Sequence, residues 1–176
     1  IRVELEVLRE VAAERPAVGD ALTRFTHDRV LATLVGTSPL FAELDQTARS
    51  AVLWRFEHRD ADANEVLVWE GDAPGGLHLV VRGTVAVRRD DGGAQVTVAT
   101  LGPGGVFGEI GLVRGHTSAT VVAVGGAELL RLAPEDFKAL CDEYPSIRAR
   151  AEALADARLA ENRFIFEDDE FIEAAD

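Results

Sequence analysis

Residues 107–121 read FGEIGLVRGHTSATV, and this stretch decides the fold. The order of residue types predicts a strand end, a Gly-Glu step, one turn of helix, a short polar loop and a new strand. The short helix, predicted at Ile110 to Leu112, directs its free backbone N–H groups at a pocket, which favours an anion such as a phosphate. Glu109 lies beside this helix, where its carboxylate is expected to accept hydrogen bonds from a sugar hydroxyl.

Short runs with the two-residue period of β-strands surround this stretch, and Gly and Asp residues separate them. Many short strands at this spacing predict a sandwich, roll or barrel. Asp91-Gly92 marks a hairpin turn, because glycine tolerates a positive φ angle. The predicted strands lie at residues 56–60, 65–69, 77–82, 84–89, 95–101, 119–124 and 127–132.

Apolar residues at helical spacing predict three helices before the strands. Pro16 ends the first helix, because its ring blocks continuation, and Gly36 ends the second. Asp45 is expected to cap a third helix, which runs to about Arg55. The N-terminal part of the chain is therefore predicted to be helical.

Helical patterning returns after the last strand. Pro134 opens a helix that closes at Tyr144, and Ser146 caps the next helix, which runs from Ile147 to about Arg163. The expected domains are N-terminal helices at 1–36, a β-roll at 37–133, C-terminal helices at 134–163 and an acidic tail at 164–176.

The composition and net charge of the chain limit the kinds of function that it can have. The chain has 176 residues, 47% of them hydrophobic, which predicts one domain with flanking helices. The net charge of −13 argues against binding of nucleic acid, which usually needs a basic patch. No apolar run approaches the about 18–20 residues that span a bilayer, and the single cysteine fits a reducing compartment, so we expect a cytoplasmic protein without membrane contact. The chain opens with Ile1 and contains no Met, so we expect a fused upstream domain or a protein partner.

Three stretches together resemble the cyclic nucleotide-binding domain family. Residues 107–121 resemble its phosphate-binding cassette, and residues 101–109 resemble the Leu-Gly-x-Gly-x-x-Phe-Gly-Glu run that leads into it. Gly-Asp at 71–72, followed by LHLVVRGTV at 77–85, resembles the family's turn, apolar strand and Gly-x-Val hairpin. The resemblance covers roughly residues 37–163. It implies a mainly β fold with flanking helices, namely a double-stranded β-roll of the jelly-roll type.

The resemblance also implies roles for the cassette residues. In the family a Glu holds the ribose 2′-hydroxyl, while backbone amides, a small hydroxyl residue and an Arg bind the cyclic phosphate. By position Glu109 takes the ribose role, Ser118 offers the hydroxyl, and Thr117 stands where the Arg should be. Arg114 is the nearby loop cation that would rescue phosphate binding. The implied ligand-binding residues are Gly108, Glu109, Ile110, Gly111, Leu112, Thr117 and Ser118.

Two functions follow from the resemblance. The first is a non-enzymatic regulatory domain that senses a cyclic nucleotide, cAMP or cGMP, with the C-terminal helices as lid and lever. Because the phosphate-binding Arg is replaced by Thr117, this cassette is expected to bind the ligand weakly or not at all. The alternative is a protein–protein interaction or oligomerisation module without a nucleotide ligand. The helix at 147–163 is a candidate for self-association into a homodimer.

A cupin-like metal enzyme is a remote third interpretation, since cupins share the roll. Such an enzyme needs several metal ligands, yet only His78 lies in the comparable stretch, and the four histidines show no ligand spacing. We therefore expect no metal, no cofactor and no catalytic residues. Trp54 and Trp69 are predicted to be packing residues, and Cys141 is predicted to lie in the core.

Overall fold

The computed structural model describes the backbone of residues 31–173 and the side chains of residues 31–161. The first predicted helix, most of the second and the last three residues lie outside the described residues. Within them, a helical stretch at 31–37 precedes eight strands and four further helices. In chain order these are α1 (Gln46–Leu53), β1 (Glu57–Ala61), β2 (Val66–Val68), β3 (Leu77–Arg82), β4 (Val85–Asp91), β5 (Ala94–Leu101), β6 (Val106–Phe107), α2 (Glu109–Arg114), β7 (Thr120–Ala123), β8 (Ala127–Leu132), α3 (Pro134–Glu143) and α4 (Pro145–Glu173).

The strands form two four-stranded sheets, with strand orders β1-β8-β3-β6 and β2-β7-β4-β5. All pairings are antiparallel. Strand β3 is buried on both faces from Leu77 to Val81, which explains why four of these five residues are apolar. Leu79 packs with the helices on one face, whereas Val80 packs between the two sheets on the other. The predicted fold class, mainly β with flanking helices in a double-sheet roll, is confirmed.

Local signals placed several element ends correctly. The side chain of Asp45 accepts a hydrogen bond from the Ala48 N–H at 2.8 Å, as expected of an N-cap. Pro134 lies in the first turn of α3, and Cys141 is buried. Gly92 joins β4 to β5 with a φ angle of 61°, so the predicted hairpin turn is confirmed.

Other element ends differ from the prediction. Strand β6 corresponds to the strand end predicted at Phe107, but its two residues are too short to show a period of their own. The stretch predicted to end at Gly36 continues to Thr37, whose hydroxyl donates to the Leu34 carbonyl. Helix α1 ends at Leu53 rather than near Arg55.

Helix α4 corrects two predictions. It begins at Pro145, so Ser146 lies in its first turn and does not cap it; proline is well suited to a first helical position. It continues past Arg163 to Glu173, because residues 164–173 contain no Gly or Pro that would interrupt it. Most of the predicted acidic tail is therefore a continuation of this helix.

The prediction that both tryptophans are core or partly buried packing residues is wrong, because both side chains are mainly exposed. Trp54 is 84% exposed and Trp69 is 59% exposed. Trp54 follows α1 as its C-cap, while Val52 in the same turn occupies the buried position. Large apolar surface is therefore open to solvent at these two positions.

Candidate functional site

A cavity of about 290 Å³ lies between the second sheet, α2 and α4. Its wall is mainly apolar on the sheet side and carries charged side chains on the helix side. Six of the seven residues predicted to bind a ligand line it, together with two residues of α4 that the sequence analysis did not single out. These eight are Gly108, Glu109, Ile110, Gly111, Thr117, Ser118, Arg158 and Glu161.

Gly108 sets the start of α2. Its backbone is left-handed, with φ 93° and ψ −9°, and a Cβ atom there would lie 2.2 Å from the Gly76 carbonyl oxygen. Only glycine fits this position without moving the neighbouring chain. The turn places Glu109 in the first turn of a helix that is longer than predicted and includes Glu109 itself.

Leu112 is the predicted ligand-binding residue that does not line the cavity. Its N–H donates to the Gly108 carbonyl at 3.2 Å, so this amide already has a partner. Its side chain packs against the core cluster between the helices and the first sheet, and it does not line the cavity. The physical reason is that the helix begins one residue earlier than predicted, which brings Leu112 into its hydrogen-bonded part.

The carboxylate of Glu109 is the most buried charge at the site. The Glu109 residue is 1% exposed, and its Oε1 accepts a hydrogen bond of 2.7 Å from Nη1 of Arg158. The same Nη1 donates to the Val106 carbonyl at 2.8 Å. A buried carboxylate is strongly destabilising unless it is paired, so Arg158 compensates Glu109 directly.

Thr117 ties the cassette loop to the turn at 71–72. Its N–H donates to the Asp72 carbonyl at 3.0 Å, and its carbonyl accepts from the Gly71 N–H at 2.9 Å. Its hydroxyl donates towards the carbonyl oxygens of Trp69, at 2.5 Å, and Asp72, at 3.1 Å. Thr117 is 5% exposed, so the position where the family's Arg was expected holds a structural hydroxyl without charge.

Arg114 lies away from the cavity. Its guanidinium forms an exposed ion pair with Asp156 of α4, and it is not part of the cavity wall. The geometry therefore does not bring Arg114 to the position predicted for phosphate rescue. Arg158 is the cation that the sequence analysis missed. A signal existed, because Ile147, Ala151 and Ala155 form the buried seam of α4, and Arg158 continues that spacing with a charged residue.

His78 lies beneath the start of the cassette. Its ring stacks on Phe107 with centroids 4.7 Å apart and an angle of 6° between the planes. It is 1% exposed, and neither ring nitrogen makes a hydrogen bond of normal geometry among the described residues. Burial, reinforced by the charges of Arg59 and Arg131, lowers the pKa of His78 to about 4, although the nearby Gly76 backbone partly opposes this shift. His78 is therefore neutral near pH 7.

Among the described residues, no group of three or more His, Cys, Asp or Glu side chains is arranged to hold a metal ion. In the same part of the chain, no helix combines the length and the apolar character that crossing a bilayer requires.

The chain is similar to known proteins. Residues 58–144 match the family model described as a cyclic nucleotide-binding domain. The cyclic AMP receptor protein of Thermus thermophilus is 38% identical over 126 residues, which cover 70% of this chain and 58% of that protein.

Two solved structures show the same roll. The Thermus thermophilus catabolite activator protein has a TM-score of 0.68 at 37% identity, covering 78% of this chain and 65% of that one. The regulatory domain of Toxoplasma gondii PKA with cAMP has a TM-score of 0.63 at 28% identity, covering 65% and 44%. This chain thus spans less than two thirds of the length of these relatives.

Proposed function

Because this chain belongs, through residues 58–144, to the cyclic nucleotide-binding domain family, we propose that it is a regulatory domain that senses cAMP or cGMP. The observation that carries the proposal is the cavity that the cassette residues and α4 surround together. Its carboxylate, hydroxyl and amide groups are of the kinds that bind a ribose and a phosphate.

The proposed pose follows the cavity wall. Glu109 accepts a hydrogen bond from the ribose 2′-hydroxyl through a carboxylate oxygen that Arg158 leaves available. Ser118 and the amides of Ile110 and Gly111 face the phosphate, and the base occupies the apolar side formed by the second sheet. Thr117 supplies no charge, which removes a contact worth about 1.5–3 kcal/mol. We therefore expect weaker binding than in a domain with an Arg at this position.

Signal transmission depends on α4. This helix contributes Arg158 and Glu161 to the cavity wall and also packs on α2 and α3. A ligand that binds more tightly in one position of α4 than in another shifts the helix towards that position. In this proposal residues 37–133 form the sensing roll, and residues 134–163 form the lid and lever.

Isothermal titration calorimetry with cAMP and cGMP tests the proposal. The wild-type chain is expected to bind at least one of them, and Glu109→Gln is expected to weaken that binding by roughly tenfold. Glu57→Gln, an exposed carboxylate in β1, is the matched control and should not change the affinity. Silence of both the wild type and Thr117→Arg at millimolar concentrations of both nucleotides overturns the proposal.

A second candidate function is a protein–protein interaction or oligomerisation module. The observation that favours it is the exposure of Trp54 and Trp69, because large aromatic side chains are enriched in protein interfaces. Light scattering over a concentration series tests the oligomeric form of this idea. A Trp54→Ser, Trp69→Ser variant should dissociate if the tryptophans join two copies; a wild type that stays monomeric throughout contradicts it.

A further inference from the structure

The guanidinium of Arg158 has more donors than its contacts use. Both of its hydrogen bonds, to Glu109 and to the Val106 carbonyl, come from Nη1. A guanidinium carries five N–H donors, so the donors on Nη2 and Nε stay without a partner among the described residues. The side chain is 25% exposed and lines the cavity. The free donors are thus available to a ligand.

Arg158 is the one cation among the described residues that line the cavity. The other charged residues of the wall are Glu109 and Glu161, so the wall has a formal net charge of −1. Without Arg158 the two carboxylates alone would repel an anion. Thr117 offers only a hydroxyl that is already directed at carbonyl oxygens, and Arg114 is paired outside the cavity. Any anionic group in this cavity depends on Arg158 for a counterion.

We propose that Arg158 binds the phosphate of the nucleotide, in place of the cassette arginine that this chain lacks. Nη1 keeps its bond to Glu109, while Nη2 and Nε donate to phosphate oxygens. This inference rests on the proposed function and adds the residue that recognises the negative charge. It also defines the ligand class: an anionic nucleotide gains this contact, whereas the corresponding neutral nucleoside does not.

Because Arg158 lies on α4, the proposed phosphate contact couples ligand binding to the position of this helix. A cassette arginine would belong to the roll, but Arg158 belongs to α4, which also carries Asp156 against α2. The phosphate contact therefore forms only when α4 lies at the cavity. Phosphate binding and the position of α4 are therefore coupled, because the ligand stabilises the position of α4 that places Arg158 at its phosphate.

The test measures affinities for cAMP and for adenosine, which lacks the phosphate, by calorimetry. Arg158→Gln should weaken cAMP binding by roughly ten- to a hundredfold and adenosine binding by less than about threefold. Arg114→Gln is the matched control, because Arg114 of α2 pairs with the Asp156 carboxylate of α4 across the same helix contact but lies outside the cavity. It should leave both affinities unchanged.

Three results would overturn the inference about Arg158 without contradicting the proposed function. The first is cAMP binding that Arg158→Gln leaves unchanged, and the second is an equal loss for cAMP and adenosine, which would mean that Arg158 acts only through Glu109. The third is a silent wild type in which Thr117→Arg creates cAMP binding. If both the wild type and Thr117→Arg are silent, the proposed function itself fails.

If Arg158→Gln does not fold, a second pair of variants tests the same proposal. Glu109→Gln and Glu109→Gln/Arg158→Gln both lack the buried carboxylate and differ only in the guanidinium. The proposal expects the double variant to bind cAMP at least about tenfold more weakly than Glu109→Gln. Equal affinities of these two variants for cAMP overturn it.

Discussion

Glu109 and Arg158 lie 49 residues apart in the chain and form an ion pair of 2.7 Å that joins the first turn of α2 to α4. The two partners differ in exposure, since the side chain of Glu109 is 1% exposed and that of Arg158 is 25% exposed. Removal of Arg158 leaves a buried, uncompensated carboxylate, whereas removal of Glu109 leaves an arginine that reaches solvent. The pair is therefore asymmetric in its effect on stability.

A double-mutant cycle on this pair should show that asymmetry. We expect Arg158→Gln to lower the free energy of unfolding by about 1–3 kcal/mol, less than for a fully buried pair because Arg158 is partly exposed. Glu109→Gln/Arg158→Gln should recover most of this loss, since no buried charge remains. Urea denaturation measures both values. Arg114→Gln breaks an exposed pair and should change stability by less than about 1 kcal/mol; an equally large effect there would contradict this account.

Replacement of Thr117 by arginine should raise the affinity for cAMP and lower the stability of the fold. Thr117→Arg introduces a cation at the cavity wall, and we expect cAMP binding to gain about 1.5–3 kcal/mol. The variant also loses the hydroxyl contacts to Trp69 and Asp72, which should lower the free energy of unfolding by about 1 kcal/mol. Calorimetry and urea denaturation measure the two effects. Thr117→Val is the control, because it loses the hydroxyl without adding charge and should not bind more tightly.

Local sequence signals predicted most of the fold. At the site they identified Glu109 but not Arg158, its partner in the ion pair. The strand periodicity, the Asp45 cap and the Gly-rich turns are local signals, and the structure agrees with them. Gly108 and Glu109 were also readable locally, because a Gly-Glu step at a strand end requires a sharp turn before a helix. Such features depend on neighbours in the chain, which a sequence shows directly.

The missed features depend on distant contacts. The pairing of Arg158 with Glu109 depends on how α4 crosses α2, and helical spacing alone does not give that crossing. Trp54 was predicted to pack because of its size, yet tertiary packing gave the buried position to Val52 and left the indole exposed. The position of Arg158 on the buried seam of α4 was the one local sign of its role.

Protonation of His78 should destabilise the fold in mild acid. Burial lowers the pKa of His78 from 6.5 to about 4, so between these values the unfolded chain binds a proton that the folded chain does not. The stabilisation is complete above about pH 6.5 and is lost as the pH falls towards 4, by a total of about 3 kcal/mol. Urea denaturation across this range measures the slope.

Two variants separate His78 from the other acid-sensitive groups. His78→Gln should remove most of the slope between pH 6.5 and pH 4, because glutamine does not titrate. His58→Gln, at a side chain that is 46% exposed, is the control for the loss of a histidine as such. A slope that survives in His78→Gln assigns the acid sensitivity to other residues.

The two glycines that flank α2 should respond differently to the same substitution. Gly108 and Gly115 have similar left-handed φ angles, 93° and 89°, so alanine is strained to a similar degree at both. A Cβ at Gly115 meets no atom within 4 Å, whereas a Cβ at Gly108 would lie 2.2 Å from the Gly76 carbonyl oxygen.

We expect Gly115→Ala to lower the free energy of unfolding by about 1 kcal/mol, from backbone strain alone. Gly108→Ala should lower it by about 1–3 kcal/mol more, because the chain at Gly76 must move. Urea denaturation compares the two variants directly. Since Gly108 also positions Glu109, Gly108→Ala should weaken cAMP binding while Gly115→Ala preserves it. Equal stability and equal binding in the two variants would show that the close approach to Gly76 does not constrain the start of α2.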